Sequence, residues 1–176
     1  MSNKLVVEIL EAEFPKHRST VEALYTAYAN SLEIDLTFQK FEEELASLPG
    51  KYHPDNGGAL FIARVIGPFV TADDGVIQPG KIIGCVAIRA FAPPNICELK
   101  RLYVMPEARG VGAGEELLKK AIDTAKELEY KEMLLDTLPS MVKARKKYIA
   151  AGFEEVEPYY ESPIKGTSFM KLDLTQ

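Results

Sequence analysis

The chain has no tryptophan, two cysteines and two histidines in 176 residues, and fewer basic than acidic side chains. Cys85 and Cys97 stand in apolar stretches without the close spacing of a metal knuckle or a disulfide framework, so both are expected to be buried free thiols. His17 and His53 are isolated in sequence, and no metal is expected. Long apolar runs are missing as well. The longest, IIGCVAI at residues 82–88, falls far short of the ~20 residues of a membrane span, and the opening MSNKLVVEIL has no basic segment followed by a long apolar one. The expectation is a cytoplasmic protein with no membrane partner. Lys and Arg number 21 against 26 Asp and Glu, a net charge of −5. The positive field that binds a phosphate backbone is therefore lacking, and nucleic acid is not an expected partner. The deficit is uneven: residues 1–97 carry −4 and residues 98–176 carry −1.

What is present suffices for a core. Hydrophobic residues make up 47% and charged residues 27%, the profile of a folded chain, and at roughly 150 residues per domain one domain over 1–176 is expected. Residues 4–10 read as a strand. Val21, Leu24, Tyr25, Tyr28 and Leu32 recur at helical spacing through 19–31, with Ser19 and Glu22 in the form of a capping box. A second helix follows Asp35, with Thr37 as N-cap and Phe38, Phe41, Leu45 and Leu48 as an apolar stripe opposite the acidic run 42–44. The turn-forming KYHPDNGG leads into a strand at 59–66, a polar loop at 67–80, a hairpin partner at 81–91 and a strand at 97–104. A helix at 110–129, a strand at 131–136, a helix at 140–151 and strands at 153–156 and 168–174 complete the pattern. It is α/β of the α+β kind, a mixed, mainly antiparallel sheet of about seven strands flanked by four helices.

Chemistry concentrates in ELKRLYVMPEARGVGAGEELLKKAIDTA, residues 98–125. A strand ends at Val104, Pro106 breaks it, and Arg109-Gly110-Val111-Gly112-Ala113-Gly114 opens a helix whose apolar positions are Leu117, Leu118, Ala121, Ile122, Ala125 and Leu128. The glycines keep side chains clear of the helix start, so backbone N–H groups carrying partial positive charge can meet a phosphate or pyrophosphate. The same glycines also suit a tight strand-to-helix turn. A dinucleotide GxGxxG fails in both registers, because Glu115 and Leu117 stand where glycine is needed, and no GKS or GKT follows for a P-loop.

Arg109, Gly112 and Gly114 fill the pattern (Gln/Arg)xxGx(Gly/Ala), and in this the stretch resembles the acetyl-CoA-binding motif of the GNAT superfamily of N-acetyltransferases. ELKRLYV before it, LDTLPS after it, and ARKKYIAAGF, with Tyr148 four residues before Gly152-Phe153, are similar to further segments of that family. The order of elements is similar too. The likeness is strong over 98–153 and topological before that.

The resemblance implies a GNAT fold and an N-acetyltransferase with acetyl-CoA as cosubstrate and a primary amine as acceptor. It places the pyrophosphate on the amides of Arg109, Gly110, Val111, Gly112, Ala113 and Gly114, the pantetheine arm along Leu102, Tyr103 and Val104, and further cofactor contacts at Thr137, Met141 and Ala144. Met141 stands where the family often has asparagine, so that amide contact is lost or taken over by Thr137 or Ser140. Tyr148 is the implied general acid for the leaving thiolate. Glu98, eleven residues before Arg109, is the leading base, with Glu33 and Asp35 as rivals and an ion pair beside Lys100 and Arg101 as its alternative role. Neither cysteine has a histidine in register, so direct transfer in a ternary complex is expected. Carboxylates in the acceptor segments, namely Glu33, Asp35, the run 42–44, Glu154, Glu155 and Glu157, point to a cationic amine such as a polyamine, an aminoglycoside or a lysine side chain. Lys143, Arg145, Lys146 and Lys147 either flank the 3′-phosphate of CoA or form a solvated helix face. Edge-strand pairing in the family favours a homodimer. The rival readings are a non-catalytic acyl-CoA-binding module and a transferase of another short acyl group.

Overall fold

The computed structural model of the chain describes residues 6–32, 35–36, 40–71 and 73–176. In chain order these form β1 (Val7–Glu11), α1 (Arg18–Ser31), α2 (Phe41–Ser47), β2 (Ala59–Val65), β3 (Phe69–Val70), β4 (Val76–Ile77), β5 (Ile82–Ala92), β6 (Ile96–Val104), α3 (Ala113–Glu127), β7 (Glu132–Thr137), α4 (Val142–Ala150), β8 (Glu154–Val156) and β9 (Ser168–Asp173). Seven strands make one sheet in the order β1-β2-β5-β6-β7-β9-β8. Every pairing in it is antiparallel except β6 with β7, which α3 joins as a crossover. The mixed, mainly antiparallel sheet and its four helices are those expected from the sequence.

The period-two alternation of the central strands sorts side chains onto two faces. Phe61, Ala63, Val86, Ile88, Cys97 and Leu99 pack with Leu117, Leu118, Ala121 and Tyr148 of α3 and α4. Leu60, Ile62, Cys85, Ala87 and Tyr103 pack with Val21, Leu24 and Tyr25 of α1. Gly84 of β5 has a specific use: a Cβ there would meet the Tyr103 carbonyl at 2.7 Å and Leu117 Cδ1 at 3.1 Å, so glycine lets α3 rest on the sheet. Among the described residues no helix is long and apolar enough to cross a membrane.

Several local expectations are corrected. His17 is the N-cap of α1 and no side chain caps that helix, so Ser19 and Glu22 form no capping box; His17 Nδ1 instead accepts from the Glu13 N–H at 2.9 Å. α2 starts at Phe41, after Lys40 in the left-handed region (φ 56). Thr37 and Phe38 of the expected second helix, and Lys4 and Leu5 of the first strand, lie outside the described residues. The loop 67–80 contains the small β3–β4 hairpin, whose strands of two residues are too short to show a period. Leu128 is 42% exposed, because α3 ends before it.

One irregularity opens the sheet. Cys85 and Ala87 of β5 pair with Tyr103 and Lys100, so β6 carries an extra residue between them, and Arg101 there adopts φ 58. That left-handed backbone costs about 1–2 kcal/mol for a residue other than glycine. The side chain is pinned in compensation: Arg101 Nε and Nη2 donate to both carboxylate oxygens of Glu44 at 2.9 and 3.1 Å, and Lys51 Nζ lies 3.1 Å from the same group. Glu44 is thus buried, not part of an outward acidic face. The β6–β7 ladder covers only Ile96, Cys97 and Glu98 against Glu132, Met133 and Leu134, and beyond that point the strands part.

Candidate active site at the parting of two strands

Residues 110–114 present backbone with little in front of it. Gly110 (φ 93) and Gly112 (φ 84), the N-cap of α3, both need the left-handed freedom of glycine, yet a Cβ at either would meet no heavy atom within 4 Å. No side chain caps α3, and its first turn closes with Glu116 N–H on the Gly112 carbonyl at 3.0 Å. The N–H groups of Ala113, Gly114 and Glu115 therefore have no partner within the helix. Lys147 reaches this terminus from α4: its Nζ lies 2.9 Å from a Cβ position on Gly114 and 3.5 Å from Glu115 Oε1. Val111 packs on the core, and Arg109 donates from Nε to the Val104 carbonyl at 3.0 Å with its guanidinium over Tyr103. The donors, the cation and the open space fit a phosphate-bearing ligand. Gly112→Leu is expected to keep the fold, at a backbone cost of about 1–2 kcal/mol, while weakening CoA binding more than about tenfold. Calorimetric titration with CoA checks this, and unchanged affinity would refute it.

Where β6 and β7 part, a cavity is lined by Leu99, Lys100, Arg101 and Leu102 of β6, by Leu135 and Asp136 of β7, by Tyr28 of α1, and by Met141 and Tyr148 at α4. Its lining is drawn from both faces of the sheet, with Tyr148 on the α3/α4 side and Tyr28 on the α1 side. Tyr148 is buried, and its ring sits edge-on to Phe153 at 5.7 Å. The spacing seen in the sequence follows from the end of α4, where Phe153 N–H returns to the Tyr148 carbonyl at 3.0 Å. Burial first, then the neighbouring Tyr28 and Asp136, pushes the Tyr148 phenol above its ordinary value, so it carries its proton at neutral pH. Thr137, at the end of β7, is buried, and its hydroxyl has no hydrogen-bond partner among the described residues. Ala144 packs partly buried against the core. Tyr103 faces the α1 side, edge-on to Tyr28.

Glu98 is 2% exposed and does not line the cavity. Its Oε1 accepts from Arg89 Nε at 2.9 Å and lies 4.0 Å from Lys100 Nζ, and its Oε2 accepts from the Tyr159 hydroxyl at 2.6 Å. Arg101 is engaged with Glu44, so of the two cations weighed from sequence only Lys100 pairs with Glu98, joined there by Arg89. Sequence reasoning also missed Tyr159 and Tyr160, which lie between β8 and β9 and reach back to the two parting strands. Tyr160 donates to Asp136 Oδ2 as Tyr159 does to Glu98, and both rings pack on Phe169 at 5.0 Å. Their only signal in the sequence is an aromatic pair in an aperiodic stretch.

Among the described residues, the acidic residues taken as acceptor-side, the exposed Asp35 included, do not line this cavity. Glu33 lies outside the described residues; Glu42, Glu43, Glu154, Glu155 and Glu157 are exposed, with Glu155 paired to Arg145. The charged lining among the described residues is Lys100, Arg101 and Asp136. Burial pushes both cysteine thiols up to about 12, and their Sγ atoms donate to the carbonyls of Arg101 (3.3 Å, Cys85) and Glu132 (3.6 Å, Cys97). Neither is poised as an acetyl carrier. Cys97→Ala is accordingly expected to keep kcat within about twofold, with no acetyl adduct on the intact protein by mass spectrometry. A stable adduct lost in that variant would overturn the expectation.

The family model described as Acetyltransferase (GNAT) family matches residues 21–153. An uncharacterised N-acetyltransferase of Schizosaccharomyces pombe is 35% identical over 170 residues, covering 97% of this chain and 96% of that protein. A GNAT-family acetyltransferase structure from Staphylococcus aureus Mu50 superimposes with a TM-score of 0.71 at 20% identity, over 96% of this chain and 99% of that one. The Salmonella typhimurium yncA structure, determined with acetyl-CoA, gives 0.65 at 16% identity over 96% and 94%. At such identities the two structures bear on the fold alone. The family match over most of the chain and the fission-yeast relative over nearly all of it carry the rest: the chain belongs to the GNAT family of N-acetyltransferases.

Proposed function

We propose that the chain transfers an acetyl group from acetyl-CoA directly to a primary amine, with both substrates held across the β6–β7 opening. The observation that carries this is a cavity at the parting of β6 and β7 whose lining joins Tyr148 from the α3/α4 face to Tyr28 and Asp136 from the other. Acetyl-CoA enters on the first face. Its pyrophosphate meets the amides of residues 109–114, with Lys147 alongside, and its pantetheine arm lies on the edge of Leu102, Tyr103 and Val104 that β7 leaves unpaired. The unpartnered Thr137 hydroxyl supports its standing in for the amide that Met141 cannot supply.

Transfer then needs three things. The β6 edge amides polarise the thioester carbonyl, the two substrates are aligned in one opening, and the protonated Tyr148 supplies the proton that the leaving thiolate takes. The engagement of both Glu98 oxygens favours its alternative role as a buried ion-pair partner that fixes Tyr159. The test is release of CoA thiol from acetyl-CoA with a panel of primary amines, and identification of the N-acetyl product by mass spectrometry. Turnover supports the proposal. Tight CoA binding with no thiol release on any amine would make the chain a binding module, and preference for propionyl- or succinyl-CoA would change the acyl group.

A further inference from the structure

We infer that Asp136 receives the ammonium group of the acceptor and takes its proton, an assignment that rests on the acetyl-transfer reading above. Along β7, Met133 and Leu135 face the α3/α4 core, so Leu134 and Asp136 point to the α1 side. Asp136 therefore lies at the opening on the face opposite the one from which Tyr148 enters. Acid and base of an acyl transfer need this arrangement, with one at the thiol leaving group and the other at the incoming amine.

The electrostatic setting agrees. The Asp136 carboxylate is half-buried and, among the described residues, receives one hydrogen bond, from Tyr160 to Oδ2. Among the described residues, no Lys, Arg or His nitrogen comes within 4.0 Å of it. Tyr28 from α1, Lys100 and Arg101 from β6 and Tyr148 from α4 line the same cavity, and Tyr160 from the segment between β8 and β9 donates to Asp136. Of the two cations, Arg101 is engaged by Glu44 and Lys100 lies 4.0 Å from Glu98; the other groups are phenols. A partly desolvated carboxylate with no cation in contact, ringed by aromatic rings and opening onto a cavity, is a site for a cationic group of the ligand. Glu98 offers no such site, since both its oxygens are occupied.

The step balances as follows. The acceptor ammonium gives one proton to the Asp136 carboxylate, and its nitrogen lone pair forms the C–N bond at the thioester carbonyl. The C–S bond breaks and the thiolate takes the proton of Tyr148. The adduct's second N–H proton returns to the Tyr148 phenolate, and Asp136 passes its proton to solvent. The ammonium and acetyl-CoA have become amide and CoA thiol, with one proton released.

The test uses the full chain, acetyl-CoA and the best amine from the thiol-release panel. Asp136→Asn is expected to lower kcat/KM for the amine by about 10²-fold or more, with acetyl-CoA affinity within about threefold of wild type. Added formate is expected to restore part of the rate to Asp136→Ala, a response that a merely structural role would not give. Wild-type kcat/KM in Asp136→Asn overturns the assignment. So does a loss that formate leaves untouched and that is matched by lost acetyl-CoA affinity. A wild-type chain that acetylates no amine overturns the transfer reading itself and this assignment with it.

Discussion

Replacing Tyr148 with phenylalanine is expected to lower kcat by about 10²- to 10⁴-fold while acetyl-CoA affinity stays close to wild type. The substitution removes one oxygen and leaves the ring where it packs against Phe153, so the α4 anchor survives. What is lost is the proton for the thiolate. Burial holds the Tyr148 phenol in its acid form beyond its ordinary range, so the wild-type rate is not expected to fall on the alkaline side below about pH 10. Steady-state kinetics between pH 7 and pH 10, with thiol release as readout, checks both parts. A wild-type kcat in Tyr148→Phe would remove the tyrosine from the mechanism, and an alkaline fall near pH 8 in the native chain would contradict its assigned state.

The second large effect is on stability. Glu44→Gln is expected to destabilise the fold by about 3–5 kcal/mol, because it leaves the guanidinium of Arg101, itself 4% exposed, without its carboxylate. At roughly 2–4 °C per kcal/mol for a chain of this size, the midpoint should drop by about 6–20 °C. The pH dependence has a definite sign. Burial alone would raise the Glu44 carboxyl, but the hydrogen bonds and charge of Arg101, then the charge of Lys51, hold it below the ordinary carboxylate range. A group depressed in the folded state contributes its stability above its unfolded value and loses it as pH falls through the folded one. The difference between native and Glu44→Gln chains is therefore expected at pH 7 and to shrink below about pH 4. Urea unfolding at the two pH values measures it; equal stability of the two chains at pH 7 would deny the pair its role. The same pair holds the left-handed residue that bends β6, so its loss is also expected to loosen the opening.

How much of this was legible in the sequence depended on the range of the interaction that decides each feature. α3 is long, amphipathic and preceded by glycines, and its position followed from periodicity and local backbone chemistry alone. Tyr148 could be singled out through the resemblance of ARKKYIAAGF to a family segment, and the structure shows that its distance to Gly152 and Phe153 reflects how a helix ends. The Arg101 bulge was not visible, since the residue sits in an ordinary strand run and its conformation is stabilised by Glu44, 57 positions earlier. Asp136 and Tyr160 meet only because β9 inserts between β7 and β8, a pairing that no local pattern announces. Charge counting on the acceptor segments did not single out Asp136, for a related reason. It weighs every carboxylate alike, while Glu44 is buried in an ion pair and the exposed Glu42, Glu43, Glu154, Glu155 and Glu157 do not line the cavity.

A crystal structure with a non-reactive acetyl-CoA analogue tests most directly whether the β6–β7 opening is the reaction site. The expected result has the pyrophosphate on the amides of residues 110–114, the thioester position between the parted strands, the sulfur within hydrogen-bond reach of the Tyr148 hydroxyl, and the acetyl group facing Asp136. An analogue bound elsewhere, or one whose sulfur lies out of reach of Tyr148, would contradict it.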